Sequence, residues 1–477
     1  MEIIIGVDDH DSTKAGCTTH FSVLLMRELA KRGFEIKEIP KLVRLNPNLP
    51  WKTRGNASVS FSIEVTEDTD IILKIKEIIE NLSYKYVTEI SKGFEMNRKP
   101  GYALAKTNDL IGVKDDIERF YEMALSDVVT TDLAKRFAKN RNIVVGGDRG
   151  IIGSIASMGF HGDYSFELLT YRIKDNWDKE RILDKNSVIG ADIKLFPKVS
   201  SNYDYFKDVP LILSHGTDPV LYGLRGTTPY VLLEEMNLVK AYEAIDFFML
   251  FKTNQMTDAH IRRTGINFYQ TTKIEFKVSS IKVLEGGHVI INGYDSPVVV
   301  YKETRELNSM SKILKNGDVI EVIGSVKPSY NNTKIVEAER IRVISLNDMR
   351  EEVPTCPKCG KKMESIGKNK GYKCRRCKTF SKEKDNIKIK RDLSLEVYQS
   401  SLYRHLTKPI FLELQHIDLR VEKDVMDKIL SEILEKDISI KLASAFYLSD
   451  NFSSKNGREY SYLLEFPKCP PLNSLNS

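Results

Sequence analysis

Four cysteines fix more of the structure of this chain than any other motif. They form two C-x-x-C pairs separated by fourteen residues. Each pair can sit on one tight turn, and four thiolates complete the tetrahedral coordination of Zn²⁺ without leaving a position open for a substrate. A redox-active pair is the alternative, but two matching pairs in a reducing compartment favour a metal site. The spacing predicts a structural zinc ribbon over residues 351–383, with the ligands Cys356, Cys359, Cys374 and Cys377.

The segment around these cysteines is strongly basic. Between Thr355 and Arg391 it holds fourteen Lys or Arg residues against three acidic ones, although the whole chain carries only +6. The remaining residues therefore carry a net charge of −5. Cations on a metal-bound turn, with Tyr372 and Phe380 among them as stacking surfaces, indicate contact with nucleic acid. A solvated charged face is the alternative. The cations expected to contact RNA are Lys370, Lys373, Arg375, Arg376 and Lys378.

The chain has 477 residues, too many for one hydrophobic core, so three or more domains are expected. Strand and helix signals alternate over residues 1–160, which predicts an α/β domain, and residues 161–262 suit a smaller α+β domain. Residues 384–477 carry mixed signals. No apolar run approaches the length that spans a bilayer, and the chain starts with a strand-like segment, so a cytoplasmic protein is expected.

Residues 265–345 differ from the rest of the chain because short alternating strands follow one another between turn residues. Five such strands predict a small β-barrel. Barrels of this size often bind single-stranded nucleic acid across one face, and a barrel that serves only as a spacer is the alternative. The predicted strands are Lys273–Val278, Val289–Ile291, Val298–Tyr301, Val319–Val322 and Lys334–Val336.

Three carboxylates follow the first predicted strand. The strand ends in a turn that carries Asp8, Asp9 and Asp11. In α/β folds ligands usually bind at the carboxyl ends of strands, and such carboxylates suit Mg²⁺ that carries a polyphosphate. An acidic turn that caps a helix is the alternative. Thr18 and Thr19 open the next helix, where free N–H groups attract anions.

Cations on turn-forming sequence complete this candidate site. Arg44, Lys52 and Arg54 could neutralise the charge that develops in phosphoryl transfer. No phosphate-binding P-loop or kinase signature set is present. The glycine-rich Gly146–Gly153 resembles a dinucleotide fingerprint, but Asp148 occupies its central glycine position, which argues against nicotinamide binding. A phosphate nest and a tight structural turn both remain open here.

Runs of residues along almost the whole chain resemble the archaeal tRNA(Ile) 2-agmatinylcytidine synthetase family. Besides the two cysteine pairs, they are Gly6–Ser12, Cys17–Thr19, Arg44–Pro47, Trp51–Asn56, Arg149–Gly153, Asp218–Gly226, Thr253–His260 and Arg404–Pro409.

This resemblance implies an enzyme that uses ATP to attach agmatine to C2 of the wobble cytidine in the CAU anticodon of isoleucine tRNA, so that the tRNA reads AUA. It implies that the C2 oxygen is first phosphorylated and that agmatine then displaces the phosphate. The implied architecture is multidomain α/β and α+β. It comprises an N-terminal kinase-like domain, a ferredoxin-like domain, an OB-fold β-barrel and the zinc ribbon. Beyond these domains, we expect residues 384–477 to form a C-terminal tRNA-binding extension.

The family pattern implies roles for individual residues. Thr18 would be the hydroxyl that becomes phosphorylated, and the three aspartates would hold Mg²⁺ and the triphosphate. Lys52 and Arg54 would contact phosphates. Agmatine is a dication, so its pocket should offer carboxylates or aromatic faces. On that chemical ground, rather than from the family, the candidates are Asp218 and Tyr222, with Asp148 behind them.

Two positions depart from the family pattern. His10 stands where threonine is usual, and Asp148 stands where glycine is usual, which leaves the metal coordination and that turn open. Two other functions remain as alternatives. One is a non-catalytic tRNA-binding protein built from the barrel and the ribbon, and the other is an ATP-dependent enzyme that acts on a small molecule.

Overall fold

The computed structural model describes residues 1–435 apart from residues 53–54, 67–69, 215, 263–264, 403 and 415–418. The chain divides into two compact units. Unit 1 contains Met1–Arg262, Tyr269–Thr271 and the described residues after 403, and unit 2 contains Arg263–Phe268 and Thr272–Leu402. No described helix has the length and apolar character needed to cross a membrane.

Unit 1 alternates strands and helices. Its elements up to residue 262 are β1 (Glu2–Asp8), α1 (Thr18–Lys31), β2 (Glu35–Ile36), β3 (Lys41–Arg44), β4 (Ala57–Glu64), α2 (Ile71–Lys85), β5 (Gly101–Lys106), α3 (Thr107–Ile111), α4 (Lys114–Ser126), α5 (Thr131–Lys139), β6 (Val144–Gly147), α6 (Ile151–Met158), β7 (Ser165–Arg172), α7 (Lys185–Leu195), β8 (Tyr203–Asp204), β9 (Val209–Pro210), β10 (Val220–Gly226), α8 (Pro229–Leu238), β11 (Ile245–Thr253) and β12 (Ile261–Arg262).

One nine-stranded sheet forms the centre of unit 1. Its order is β10-β7-β11-β3-β4-β1-β5-β6, with β2 added beside β4. Neighbouring strands are antiparallel except β3 and β11, which pair in parallel through Lys41 with Lys252 and Leu42 with Thr253. That pairing joins strands from the two predicted segments 1–160 and 161–262. The α/β and α+β segments therefore share a sheet.

Helices cover both faces of this sheet, which explains why β1 is an almost continuous apolar run. Ile3 and Ile5 point into a core lined by α1, α2, α7 and α8. Ile4 points to the opposite face, where α4, α5 and α6 pack. β1 lies between β4 and β5, with Ile5 opposite both Phe61 and Leu104. The turn after β1 is thus anchored in the middle of the sheet.

Unit 2 consists mainly of short strands. Its elements are β13 (Thr271–Lys277), β14 (Ser280–Val283), β15 (Val289–Asn292), β16 (Val298–Val300), α9 (Glu306–Ser311), β17 (Val319–Pro328), β18 (Lys334–Ser345), β19 (Met349–Glu352), β20 (Glu364–Ser365), β21 (Tyr372–Lys373), β22 (Phe380–Ser381), β23 (Asp385–Lys388) and β24 (Val397–Gln399). In unit 1, α10 (Leu419–Glu435) follows them in sequence.

The five strands predicted between residues 265 and 345 are all present, as β13 and β15–β18. They pair in the order β13-β17-β18-β16-β15-β14 around a core of aliphatic side chains. The strand β14 and the helix α9 were not predicted. β23 pairs with β19 and β24 pairs with β18, so the start of the predicted extension 384–477 belongs to unit 2. Its residues 436–477 lie outside the described part of the chain.

Candidate active site

The turn after β1 is packed tightly against the start of α6. A Cβ atom on Gly150 would lie 2.6 Å from the carbonyl oxygen of Asp8, and one on Gly153 would lie 2.0 Å from Asp8 Oδ2. Only glycine allows this approach of the helix to the strand end. Close packing therefore accounts for the glycines at both positions, as the tight-turn alternative expects.

The three carboxylates at the end of β1 and in the turn that follows it have different partners. Asp9 Oδ2 accepts hydrogen bonds from the backbone N–H of Lys99 at 3.0 Å and from Arg149 Nη2 at 2.8 Å. Burial raises the pKa of Asp8 well above its usual value, and the charges of Asp9 and Asp11 raise it further. Arg149 thus balances Asp9 directly and offsets only part of the repulsion that Asp9 and Asp11 exert on Asp8. A cation bound by Asp8 would relieve that repulsion.

Thr18 is the first residue of α1 and is 5% exposed. Its Oγ1 accepts a 3.2 Å hydrogen bond from the backbone N–H of His10. The helix makes its first internal backbone bond from Phe21 to Cys17, so the N–H groups before Phe21 have no acceptor within the helix. The helix dipole and these donors favour an anion beside the Thr18 hydroxyl. Thr19 Oγ1 lies 3.0 Å from Cys17 Sγ.

The side chain of His10, the first departure from the family pattern, is buried. Its ring stacks on Phe21 with centroids 3.7 Å apart, and its Nε2 lies 2.9 Å from Ser83 Oγ. Burial lowers the pKa of His10 to about 3. Its imidazole therefore packs as a neutral core group, while its backbone positions Thr18.

Arg44 ends β3, and its backbone is held from both sides by the Asn254 amide. Asn254 Oδ1 accepts from Arg44 N at 2.8 Å, and Asn254 Nδ2 donates to Arg44 O at 2.8 Å. The Arg44 guanidinium pairs with Glu167, with Nη2 3.3 Å from Oε2. Lys52 donates its ammonium to the carbonyl of Pro47. Arg54 lies outside the described residues.

The three candidates for agmatine binding lie at opposite edges of the sheet of unit 1. Asp218 is buried and pairs with Arg181 at 3.0 Å, and it also accepts hydrogen bonds from Ser214 Oγ and from the backbone of Val220. Tyr222 lies fully buried on β10, where burial raises the pKa of its hydroxyl. Asp148 follows β6, at the other edge of the sheet from β10, and pairs with Lys99 at 3.0 Å. Agmatine binding by any of them stays a prediction.

The four cysteines converge as the spacing predicts. Their Sγ atoms all lie within 4.8 Å of one another, and no other group of three or more metal-binding side chains in the described residues converges in this way. Burial acts to raise the pKa of Cys356, but hydrogen bonds from the backbone N–H groups of Lys358 and Cys359, together with the side chains of Thr379 and Cys374, lower that pKa to about 6. This arrangement fits tetrahedral Zn²⁺ held by thiolates.

The basic side chains predicted to contact RNA lie on the ribbon, mostly exposed. Of these, Arg375 pairs with Glu364 at 2.5 Å, although both side chains are more than half exposed. Phe380 is 50% exposed and belongs to the same small sheet as Tyr372. The zinc ribbon therefore carries both exposed cations and an exposed aromatic ring.

Several residues of this site carry no local sequence signal. Arg149 and Lys99 hold Asp9, while Glu167 and Arg225 lie beside Arg44. Arg149 and Arg225 do fall within runs that carry the family resemblance. Their partners come from distant parts of the chain, so only the fold shows what they contact.

Family models match three parts of the chain. The model described as "TiaS TCKD domain" matches residues 4–146, "TiaS FLD domain" matches residues 148–260, and "TiaS C-terminal zinc ribbon domain" matches residues 353–393. The first two matches meet near residue 147, whereas the sequence prediction placed that boundary after residue 160. The ribbon match extends to residue 393, which includes β23.

The chain is also similar to curated proteins over most of its length. The isoleucine-tRNA 2-agmatinylcytidine synthetase TiaS of Saccharolobus islandicus is 46% identical over 445 residues, which cover 92% of this chain and 99% of that protein. The protein of the same name from Ignisphaera aggregans is 36% identical, covering 85% of this chain and 92% of that protein.

Solved structures resemble this one closely. A crystal structure of TiaS with its isoleucine tRNA and ATP superposes with a TM-score of 0.71 at 30% identity, covering 87% of this chain and 99% of that one. A complex of TiaS with the same tRNA, AMPCPP and agmatine gives a TM-score of 0.70 at 28% identity, with the same coverage.

Proposed function

The chain belongs to the TiaS family of isoleucine-tRNA 2-agmatinylcytidine synthetases, and from this membership we propose that it ligates agmatine to C2 of the wobble cytidine in CAU-anticodon isoleucine tRNA with consumption of ATP. The observation that carries the proposal is similarity along nearly the full length of relatives of this name. A related structure holds the isoleucine tRNA, an ATP analogue and agmatine together.

The chemistry requires activation of the cytidine. The C2 oxygen is a poor leaving group until a phosphoryl group is attached to it, so ATP must act first. In the proposed sequence the Thr18 hydroxyl is phosphorylated, and the phosphoryl group then passes to the C2 oxygen. The primary amine of agmatine forms the new C–N bond as the C2–O bond breaks, and the oxygen leaves with phosphate. Transfer of the γ-phosphoryl group of ATP to Thr18 leaves ADP, and hydrolysis of the remaining phosphoanhydride bond by one water then gives AMP and inorganic phosphate.

The residues around Thr18 suit this role. The turn after β1 fixes the hydroxyl, and the first turn of α1 attracts phosphate oxygens. Arg44 and Lys52 would contact phosphates, as would Thr19 and Arg54. The hydroxyl of Thr18 needs no large movement to meet a phosphate at the helix start, because it already lies there.

We propose that Mg²⁺ binds to the carboxylates of Asp8 and Asp11, because three converging ligands are found in the described residues only at the cysteine cluster and this ion takes one or two carboxylates in addition to phosphate oxygens. When bound, Mg²⁺ would neutralise charge on the polyphosphate. Asp9 would act with them, because its bond to Arg149 holds the turn in place.

We propose that residues 1–160 form a kinase-like domain, residues 161–262 a ferredoxin-like domain and residues 265–345 an OB-fold. The barrel and the ribbon would hold the tRNA, and the ribbon cations would contact its backbone. Base extrusion is expected, because a stacked anticodon base cannot reach a buried hydroxyl. Asp218, Tyr222 and Asp148 remain the candidates for agmatine.

Release of AMP tests the proposal against both alternative functions. The purified full-length chain is incubated with ATP and agmatine in three reactions: with CAU-anticodon isoleucine tRNA, with a tRNA of another anticodon, and without RNA. We expect rapid AMP release only in the first reaction. AMP release of equal rate in all three would support an enzyme acting on a small molecule, and no release in any would support a non-catalytic tRNA-binding protein.

A further inference from the structure

The guanidinium groups of Arg44 and Arg225 share one buried carboxylate, that of Glu167. Glu167 on β7 has a side chain that is 1% exposed, and it lies directly opposite Arg225 on β10. Its Oε1 is 3.1 Å from Arg225 Nε, and its Oε2 accepts a hydrogen bond from Arg44 Nη2 at 3.3 Å. Gln255 donates its amide to the same Oε2, and its Oε1 accepts from Arg225 Nε at 3.3 Å. Glu167 and Gln255 therefore fix the positions of both guanidinium groups.

The charges in this cluster do not balance. The side chains of Arg44 and Arg225 are only 13% and 16% exposed, and Glu167 supplies a single negative charge to both. The charge of Arg44, followed by burial and the charges of Arg225 and Lys52, holds the pKa of His405 well below its usual value. The imidazole is therefore neutral, and the net charge of the cluster is positive.

Arg44 also has an unsatisfied hydrogen-bond donor. Its Nε is buried and makes no hydrogen bond within the described part of the chain. Gly55 packs against the Arg44 guanidinium, since a Cβ on Gly55 would be 2.3 Å from Arg44 Nη1 and 3.2 Å from His405 Nε2. Excess buried cations with an unused donor cost folding free energy unless an anion completes them. The planar fork of a guanidinium matches the oxygens of phosphate.

We propose that Arg225 is a phosphate-binding residue that acts with Arg44 on one phosphate group. The geometry of the cluster supports phosphate binding by itself. Any role of that phosphate in the reaction rests on the function proposed above. The phosphate can come from a nucleotide or from the RNA backbone. Arg44 lies near enough to Cys17, the residue before Thr18, for their side chains to interact electrostatically, which favours the nucleotide.

Inorganic pyrophosphate is the direct probe of the cluster. Its binding to the full chain is measured by calorimetry without agmatine, so that ligation activity does not enter the result. For Arg225→Gln we expect affinity to fall by about tenfold, because one charge-assisted pair of hydrogen bonds is lost. The matched control is Arg32→Gln, since Arg32 also pairs with a glutamate but on the exposed surface of α1. Its affinity should equal that of the wild type.

Two further measurements identify the source of the phosphate. ATP affinity is measured without tRNA, and tRNA affinity is measured without ATP over a range of salt concentrations. A loss confined to ATP assigns the site to the nucleotide. A loss confined to tRNA, with a salt slope smaller by about 1, assigns it to the RNA backbone.

A second variant covers the case in which Arg225→Gln leaves Glu167 unpaired and does not fold. The double variant Glu167→Gln with Arg225→Gln removes both charges of the cross-strand pair, and the amide oxygen introduced at position 167 can still accept a hydrogen bond from Arg44 Nη2. It is also expected to lose about tenfold in pyrophosphate affinity. If these variants lose pyrophosphate binding and the wild-type chain does not ligate agmatine, the proposed function is refuted. The inference about Arg225 is then still supported. Wild-type affinity of these variants for pyrophosphate, ATP and tRNA would overturn it.

Discussion

The backbone N–H of His10 donates a 3.2 Å hydrogen bond to Thr18 Oγ1. This bond connects the turn that carries three carboxylates to the first residue of α1. It uses a lone pair of the hydroxyl oxygen and leaves the hydroxyl proton for transfer. The position of the hydroxyl relative to Asp8 is therefore set before a ligand binds, which is the condition for efficient phosphoryl transfer.

Removal of the Thr18 hydroxyl should abolish ligation. Thr18→Val keeps the shape of the side chain, and we expect the rate of tRNA modification to fall by at least about 100-fold, as for loss of a nucleophile. Thr18→Ser is the matched control because it keeps the hydroxyl, and it should retain measurable activity. Rates are measured by mass spectrometry of the tRNA. A wild-type rate for Thr18→Val would refute the role of this residue.

A methyl group on Gly153 should disturb Asp8 without removing any functional group. The added Cβ would lie 2.0 Å from Asp8 Oδ2, so the carboxylate must move. We expect kcat/KM for ATP to fall by about tenfold or more, since small misplacements in a phosphoryl-transfer site are costly. Gly190→Ala in α7 is the control, because its Cβ meets nothing within 4 Å. Equal kcat/KM values for the two variants would contradict this prediction.

The stability of unit 1 should depend on pH through His20. Its ring is 3% exposed, lies 2.9 Å from Tyr86 OH and is surrounded by aromatic rings. Burial lowers its pKa to about 3 from a usual value of 6.5. Below pH 6.5 the unfolded chain binds a proton that the folded chain does not, so the free energy of unfolding falls as the pH falls from 6.5 towards 3.

The variant His20→Gln keeps a donor for Tyr86 and removes the titrating group. The free energy of unfolding, measured by chemical denaturation from neutral to acidic pH, should then fall less steeply than in the wild type, by up to about 1.4 kcal/mol per pH unit. Identical pH dependences for the two proteins would show that folding does not lower the pKa of His20.

Zinc should be bound at one ion per chain. Cys374→Ser should lose the metal and weaken tRNA binding more than ATP binding, because Cys374 belongs to the ribbon. Cys17→Ser is the control for metal content, since Cys17 lies at the start of α1 and outside the four-cysteine cluster. Metal analysis of both variants and of the wild type provides the test. A wild-type chain without zinc would contradict the prediction.

The ribbon cations should contribute to the salt dependence of tRNA binding. Neutralisation of Lys370, Lys373, Arg375, Arg376 and Lys378 should reduce the slope of log affinity against log salt by about 0.7–0.9 for each phosphate contact that is lost. A control chain loses exposed lysines of unit 1 instead, at Lys31, Lys85, Lys135 and Lys139. An unchanged slope in the ribbon variant would mean that these cations form only a solvated face.

Local patterns predicted those parts of the fold whose determining residues are close together in the sequence. The spacing of the cysteines predicted the cluster around Cys374, and the alternation of apolar residues predicted the five strands of unit 2. The apolar run before Asp8 predicted β1 and the acidic turn that follows it.

The contacts that organise the site could not be predicted in this way. Arg149 reaches Asp9 across 140 residues, and Arg44 reaches Glu167 across 123. The parallel pairing of β3 with β11 joins the two predicted domains in one sheet. The local periodicity of the sequence does not predict this pairing either. Asp218 illustrates the same limit, because its buried partner Arg181 lies 37 residues away. Such pairs depend on the topology of the sheet rather than on any spacing.

Mass spectrometry of CAU-anticodon isoleucine tRNA tests whether this chain ligates agmatine to the wobble cytidine. The tRNA is incubated with the full-length chain, ATP and agmatine, digested to nucleosides and compared with a reaction that lacks agmatine. We expect the wobble cytidine to gain the mass of one agmatine less one water, and only when ATP and agmatine are both present. An unmodified wobble cytidine in the complete reaction, with a folded chain that binds this tRNA, would contradict it.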